Sequence, residues 1–200
     1  MYNSKLICIT GPDGSGKSTL ISNLLIHFPE AKKIGIWDAL SSKKNVLFQS
    51  KQDIDNYLCE LSPIARTFFL AHALQEAMQN FSKNQNEMFF IDSYFYKYFS
   101  SEIALNTPIE IVQWLVSFFP KPDLVIYLDL KPEICATRKN YFTRYECGLT
   151  LHPNKESIVA FQEKCLEKWK LFKDKDWLNI DANQSAESVS IEVINIIEAL

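Results

Sequence analysis

Short apolar runs punctuate the chain, and between them lie longer stretches in which apolar residues recur every three or four positions. The runs predict strands at 5–10, 33–37, 88–92, 123–129 and 177–181, typified by Leu6-Ile7-Cys8-Ile9 and Met88-Phe89-Phe90-Ile91. The stretches between them predict helices, most with a marked start. One covers 17–28. Ser62-Pro63 opens another that runs to about Phe81, with proline at the first helical position. Thr107-Pro-Ile-Glu110 reads as a capping box leading into 108–119. Lys131-Pro132-Glu133 opens a short helix ending near Arg138, the segment 154–173 follows, and Ser185 caps a final amphipathic helix. Five strands alternating with about seven helices predict an α/β fold. It is a three-layer sandwich: a five-stranded parallel sheet with helices on both faces, binding ligands at the carboxyl ends of the strands. No linker, repeat or composition break interrupts the pattern, so residues 1–200 read as a single domain with one core.

Chemistry enters at residues 11–19, Gly-Pro-Asp-Gly-Ser-Gly-Lys-Ser-Thr, a complete GxxxxGK[ST] phosphate-binding loop between the first strand and the first helix. Gly11, Gly14 and Gly16 let the backbone approach an anion, and the amides of Ser15, Gly16 and Thr19 belong to the cradle. Lys17 reaches the β- and γ-phosphates, the Ser18 hydroxyl ligates Mg²⁺, and the helix points its positive end at the charge. The expected ligand is a nucleoside triphosphate, on a sheet of the P-loop NTPase type.

Candidates for the rest of the site follow from position. Asp92 ends the strand 88–92, where a carboxylate holds Mg²⁺ or positions a phosphoryl group, or else caps a helix. Asp129 ends the next apolar strand and competes for that role, but Leu130-Lys131-Pro132 turns at once into a helix it could cap. Asp13, inside an anion-binding loop, either contacts the acceptor or faces solvent. Asp38, after the second strand, divides the same way between acceptor contact and turn. Arg138, Lys139 and Arg144 cluster before a loop carrying Gly148 and Pro153, which suits a mobile lid bringing cations to a migrating phosphoryl group. The aromatic set Phe68, Phe69, Tyr94, Phe95, Tyr96, Tyr98 and Phe99 reads mostly as core, with room for one or two to stack on a flat ligand.

Bulk properties narrow the partners. A net charge of −3 without a basic block excludes a protein that coats nucleic acid. No apolar run approaches the roughly 18 residues of a membrane span. MYNSKLICIT leads straight into the first strand without a signal-peptide core, so a cytoplasmic protein is expected. The five cysteines are scattered without CxxC spacing and read as reduced thiols. His27, His72 and His152 show no metal spacing.

Taken together, these residues resemble the thymidylate kinases among the P-loop nucleoside monophosphate kinases, over essentially the whole chain. GPDGSGKST is similar to that family's loop, including the acidic Asp13. PDLVIYLDLKPEICATRK at 122–139 is similar to its "PDL-x-x-x-LD-x-x-PE" segment. Thr143-Arg-Tyr-Glu-Cys-Gly148, resuming at Phe161-Gln162, resembles its lid, and Ile180-Asp-Ala-Asn-Gln-Ser185 its adenine-side loop. The resemblance implies ATP- and Mg²⁺-dependent transfer of the γ-phosphoryl group to dTMP or a related nucleotide. It puts Phe69 on the acceptor base, Lys17, Arg138 and Arg144 on the transferring group, and Ala182 and Asn183 near adenine. It also implies a lid at about 138–160 and a homodimer.

The chain departs from the family on the acceptor side. Asp-Arg-Tyr is Asp92-Ser93-Tyr94, Phe-x-Ala-x-Arg is Phe69-Leu-Ala-His-Ala73, and Arg-Glu-Pro-Gly-Gly is replaced by Trp37-Asp38-Ala39-Leu40. The missing arginines hold the acceptor's phosphate, and each charged hydrogen bond is worth roughly 1.5–3 kcal/mol. Arg66, two helical turns before Ala73, and Lys97, one turn past Ser93, are the candidates to compensate. The lid carries about a dozen extra residues, 149–160. Two alternatives therefore stand beside the leading reading. One is a kinase acting on a hydroxyl of a nucleoside or other small metabolite, with Asp38 or Asp13 as base. The other is a non-catalytic nucleotide-binding protein.

Overall fold

The computed structural model describes residues 4–37, 48–79, 81 and 86–200. Five strands, β1 (Lys5–Thr10), β2 (Lys32–Ile34), β3 (Met88–Asp92), β4 (Leu124–Asp129) and β5 (Leu178–Asp181), form one parallel sheet in the order β2-β3-β1-β4-β5. The central strands are apolar on both faces because both are covered. Leu6 and Cys8 of β1 join one core, while Ile7 and Ile9 join the other.

The helices are α1 (Lys17–His27), α2 (Lys51–Glu60), α3 (Pro63–Met78), α4 (Tyr94–Ala104), α5 (Ile109–Val116), α6 (Pro132–Thr137), α7 (Lys155–Trp169) and α8 (Ala186–Glu198). Leu20 and Leu24 of α1 and Val189 and Val193 of α8 cover one face of the sheet. Residues of α2–α5 and Trp169 of α7 build the larger core on the other, giving three layers. The strand order reverses about β1, so the crevice at its carboxyl end opens directly onto the loop before α1.

Three expected elements differ. The second strand stops at Ile34, and after Gly35 the chain turns helical at Ile36 and Trp37, because glycine weakens a strand it interrupts. The capping box at Thr107 does not form: α5 starts after Pro108 without a side-chain cap. The Thr107 hydroxyl instead donates to the Pro63 carbonyl at 3.2 Å and lies 2.9 Å from the Thr67 hydroxyl, tying α5 to the start of α3. Much of the extra lid sequence is the first part of α7, begun by a capping box between Asn154 and Ser157. At the other end, the Ser185 hydroxyl accepts from the Ser188 amide as expected.

All five cysteines are free, four of them buried. Among the described residues no helix is long and apolar enough to cross a membrane, and no His/Cys/Asp/Glu group has the arrangement of a metal cluster.

Candidate active site

The loop between β1 and α1 is fixed by its glycines. A Cβ on Gly14 would lie 2.5 Å from the Cys135 carbonyl oxygen of α6, and φ is +93°. Gly14 therefore lets the loop press against α6. Gly16, at φ +100°, caps α1 without a side chain, leaving the first amides of the helix open to a ligand. Lys17 folds back over the loop, its Nζ donating to the carbonyls of Gly11 (2.9 Å) and Pro12 (2.7 Å). Burial, aided by Lys97, pulls its pKa below the usual lysine value. The Ser15 hydroxyl is buried without a hydrogen-bond partner among the described residues. Such a group costs about 1–3 kcal/mol, and a phosphate oxygen in front of the loop would satisfy it.

A cavity of about 960 Å³ lies before this loop, at the upper end of the size usual for small-molecule sites. Its wall includes Arg138, Ala182, Gln184 and Val189 as well as Trp37, Lys51, Asp92, Lys97 and Tyr98. Asp92 stands at the carboxyl end of β3 and accepts from the Ser93 hydroxyl at 2.8 Å. The two residues after it have positive φ, Ser93 at 70° and Tyr94 at 54°. This conformation costs on the order of 1–3 kcal/mol per residue and recurs at functional sites. Here it is held by Ser93 N–H donating to the Ile9 carbonyl (2.8 Å) and Thr10 Oγ1 donating to the Ser93 carbonyl (3.1 Å). The sharp turn leaves Asp92 on the cavity wall while Tyr94 turns into the core.

Asp13 and Lys97 form an ion pair inside the cavity, with little of either side chain exposed. The second Asp13 oxygen accepts from Gln162 Nε2 of α7 at 3.2 Å. Burial alone would raise the Asp13 pKa, but Lys97, Lys17 and Lys139 outweigh it and hold the carboxyl far below the usual range. Burial likewise works against the Lys97 ammonium, and Asp13 and Glu146 overcome it, so its pKa is raised.

The segment after α6 closes one wall. Arg138 donates from Nη2 to the Ala182 carbonyl at 3.0 Å, and Lys139 lies 2.8 Å from both oxygens of Glu146. A short 3₁₀ turn, Tyr145–Cys147, is anchored at both ends of its tyrosine. The Tyr145 amide donates to Asp55 Oδ1 (3.3 Å), and its hydroxyl to Glu102 Oε1 (2.9 Å). Burial and Glu102 raise the Tyr145 pKa well above its usual value, so it stays a donor.

The cavity gathers Asp13, Gly14, Ser15, Gly16, Lys17, Ser18, Thr19, Asp92, Lys97, Arg138 and Ala182, while Gly11 accepts from Lys17 just behind it. Other expected residues lie elsewhere. Arg66 is sealed in the core, 1% exposed, where Glu102 neutralises it. Tyr94 is fully buried and donates to the Pro120 carbonyl. Arg144 turns toward Glu60 of α2, 3.7 Å away, because its neighbour Tyr145 is anchored inward; Lys139 lines the cavity instead. Phe69 packs against Phe48 and Tyr57 and does not line the cavity. Asn183 bonds back to Asp181, and Gln184 takes the cavity position. Asp129 is exposed and outside the cavity. Asp38 lies outside the described residues. Glu146, Gln162 and Gln184 stand inside segments that resemble the family without having been singled out as site residues, and Trp37 stands in the stretch where the chain departs from it; Lys51 carries no signal in the sequence.

The thymidylate kinase family model matches residues 9–193. A protein named probable thymidylate kinase 1, from Saccharolobus solfataricus, is 30% identical over 202 residues, 97% of each chain. The thymidylate kinase of Schizosaccharomyces pombe is 25% identical, covering 96% of this chain and 91% of its own. That of Bacillus cereus is 27% identical, with 96% of each chain covered. Among solved structures, the thymidylate kinase of Candida albicans superposes with a TM-score of 0.74 at 22% identity, over 98% of this chain and 92% of that one. This last is a likeness of fold.

Proposed function

The chain belongs to the thymidylate kinase family, enzymes that phosphorylate dTMP with ATP, and we propose how its residues divide that work. The donor half is the phosphate loop with Lys17, whose ammonium moves from the Gly11 and Pro12 carbonyls to the β- and γ-phosphates. Arg138 and Ala182 flank the adenine end. Ser18 and Asp92 are oxygen donors on the wall of the same cavity and suit Mg²⁺. Bound there, the ion neutralises charge on the β- and γ-oxygens. Asp13 and Lys97 face the acceptor.

The acceptor's phosphate oxygen is already ionised, so no base is required. Its electron pair forms the bond to the γ-phosphorus as the bond from that phosphorus to the bridging oxygen breaks, and ADP leaves with that oxygen. Catalysis then rests on positioning and on cations around the migrating group. Lys17 supplies one. Arg144 supplies another if the lid releases it from Glu60. On the same reading, 1–200 is one kinase domain with a lid at about 138–160, acting as a cytoplasmic homodimer.

The observation that carries this reading is the shared cavity: the phosphate loop, Asp92 and the Asp13–Lys97 pair face one space. ATP with dTMP should yield dTDP at a rate well above ATP hydrolysis alone, read by chromatography of the nucleotides. The absence of arginine at Ser93 and Ala73 favours a second reading, a hydroxyl acceptor. Phosphorylation of thymidine with none of dTMP would replace the first reading by the second.

A further inference from the structure

We infer that Lys97 receives the acceptor's phosphate, exchanging its resident partner Asp13 for the incoming dianion. The inference rests on the dTMP kinase reading and names the residue that recognises the monophosphate.

Lys97 lies in the first turn of α4, just past the strained turn that follows Asp92, and its ammonium reaches the cavity to pair with Asp13. It feels the charges of Asp92 and Glu146, and its own charge depresses the ammonium of Lys17. Lys97 therefore sits beside the phosphate loop, paired with its Asp13 and close enough for its charge to act on Lys17.

The other candidate cations are absent or engaged. Ser93 and Ala73 carry no charge. Arg66 is bonded through Nε to Glu102 and through Nη1 to the Leu61 carbonyl, and moving it would leave the Glu102 carboxylate buried and unpaired. Arg138 is tied to the Ala182 carbonyl, and Arg144 faces Glu60. Lys139 is held by both oxygens of Glu146 and adjoins Arg138 on the Ala182 side. Of the two cavity-wall lysines remaining besides Lys17, Lys51 is exposed at the start of α2, whereas Lys97 is the one paired with Asp13 of the phosphate loop.

The Lys97–Asp13 pair is also able to exchange. The Lys97 and Asp13 side chains keep 15% and 11% of their surface exposed, on the cavity wall, whereas the Arg66–Glu102 pair keeps 1% and 0%. Asp13 loses only one of its partners when Lys97 leaves, because Gln162 still donates to its second oxygen. A phosphate dianion offers the ammonium more charge than a carboxylate does. In the resting enzyme Asp13 thus keeps a buried cation neutralised until the acceptor arrives.

The test isolates the phosphate by comparing dTMP with thymidine. The ratio of their dissociation constants, by calorimetry with ADP present, measures what the phosphate adds. In Lys97→Met that ratio should fall by about ten- to a hundredfold, the worth of one charged hydrogen bond. In Asp13→Asn, which removes the competitor, it should rise. KM for dTMP should increase in Lys97→Met with KM for ATP within about twofold, and Lys97→Arg should recover most of the loss. A ratio unchanged in Lys97→Met, or equal losses for dTMP and ATP, would overturn the inference. If Lys97→Met does not fold, the Asp13→Asn ratio decides alone: no rise overturns it. Wild-type enzyme that makes no dTDP defeats the dTMP kinase reading itself. Wild-type enzyme that makes dTDP while the ratio stays fixed in Lys97→Met defeats only the role of Lys97.

Discussion

Two acid–base pairs join helix α4 to its neighbours, and they behave as opposites. Arg66–Glu102 is sealed, with Nε 2.9 Å from both carboxylate oxygens, Tyr145 donating to one of them, and Leu61 accepting from Nη1. Lys97–Asp13, about one helical turn earlier in α4, opens on the cavity, with Gln162 donating to the second Asp13 oxygen. Both pairs bring a cation within reach of an acceptor in sequence terms. Only the second leaves that cation available to a ligand. Sealing away from the cavity makes the first pair architectural, even though Arg66 Nη2 finds no hydrogen-bond partner among the described residues; one exposed flank makes the second exchangeable.

The largest effect separates them by stability. Glu102→Gln leaves the Arg66 guanidinium uncompensated in the core, which costs about 3–5 kcal/mol, or about 6–20 °C in melting temperature for a chain of this size. Removing both charges, as Arg66→Met with Glu102→Leu, should cost less than the single change, because well-packed apolar groups replace buried ion pairs at little loss. Thermal melting of the two variants checks this. A Glu102→Gln melting temperature within a degree or two of wild type would erase the distinction between the pairs.

Why the sequence could not separate them is instructive. Helical spacing puts Arg66 on the face of Ala73 and Lys97 a turn past Ser93, and spacing measures reach, not burial. What decides is Glu102, 36 residues from Arg66 in sequence and brought to it only by the packing of α3 against α4. The same holds for Thr107, whose capping-box pattern is locally sound but whose hydroxyl is claimed by Thr67 and Pro63 across a helix contact. Arg144 is turned to Glu60 because Asp55 and Glu102, both distant in sequence, fix Tyr145 beside it. The strands and the phosphate loop were legible because their signals are local: runs such as Leu6-Ile7-Cys8-Ile9, and the glycines that let the loop press on α6. Sheet order was not, since it follows from which strand each crossover returns to.

A smaller effect reads the open pair through pH. In the folded chain Asp13 is held below its ordinary carboxylate value, so as pH falls the unfolded chain takes up the proton first. The stabilisation is complete above the unfolded value near 3.8 and is lost as pH drops through the folded one. Urea midpoints measured between about pH 5 and pH 2 should decline less steeply in Asp13→Asn than in wild type. Identical slopes would mean that Lys97 does not hold Asp13 ionised, and the open pair would lose its electrostatic meaning.

The smallest effect concerns Tyr145, which belongs to the sealed pair through its hydroxyl and to the lid through its backbone. Tyr145→Phe removes one donor to Glu102 while Arg66 remains bonded to both oxygens. A hydrogen bond to a charged group is worth about 1.5–3 kcal/mol, so melting should fall by about 3–12 °C. The ring still fills its place, and Asp55 still holds the amide, so the turn that carries Glu146 toward Lys139 should stay put. KM for dTMP should therefore remain within about twofold of wild type. A large rise in that constant with little change in melting would show that the Glu102 contact sets the lid, and through Lys139 and Glu146 the field around Asp13 and Lys97. The sealed pair would then act on the open one, and the two would be halves of a single network instead of independent devices.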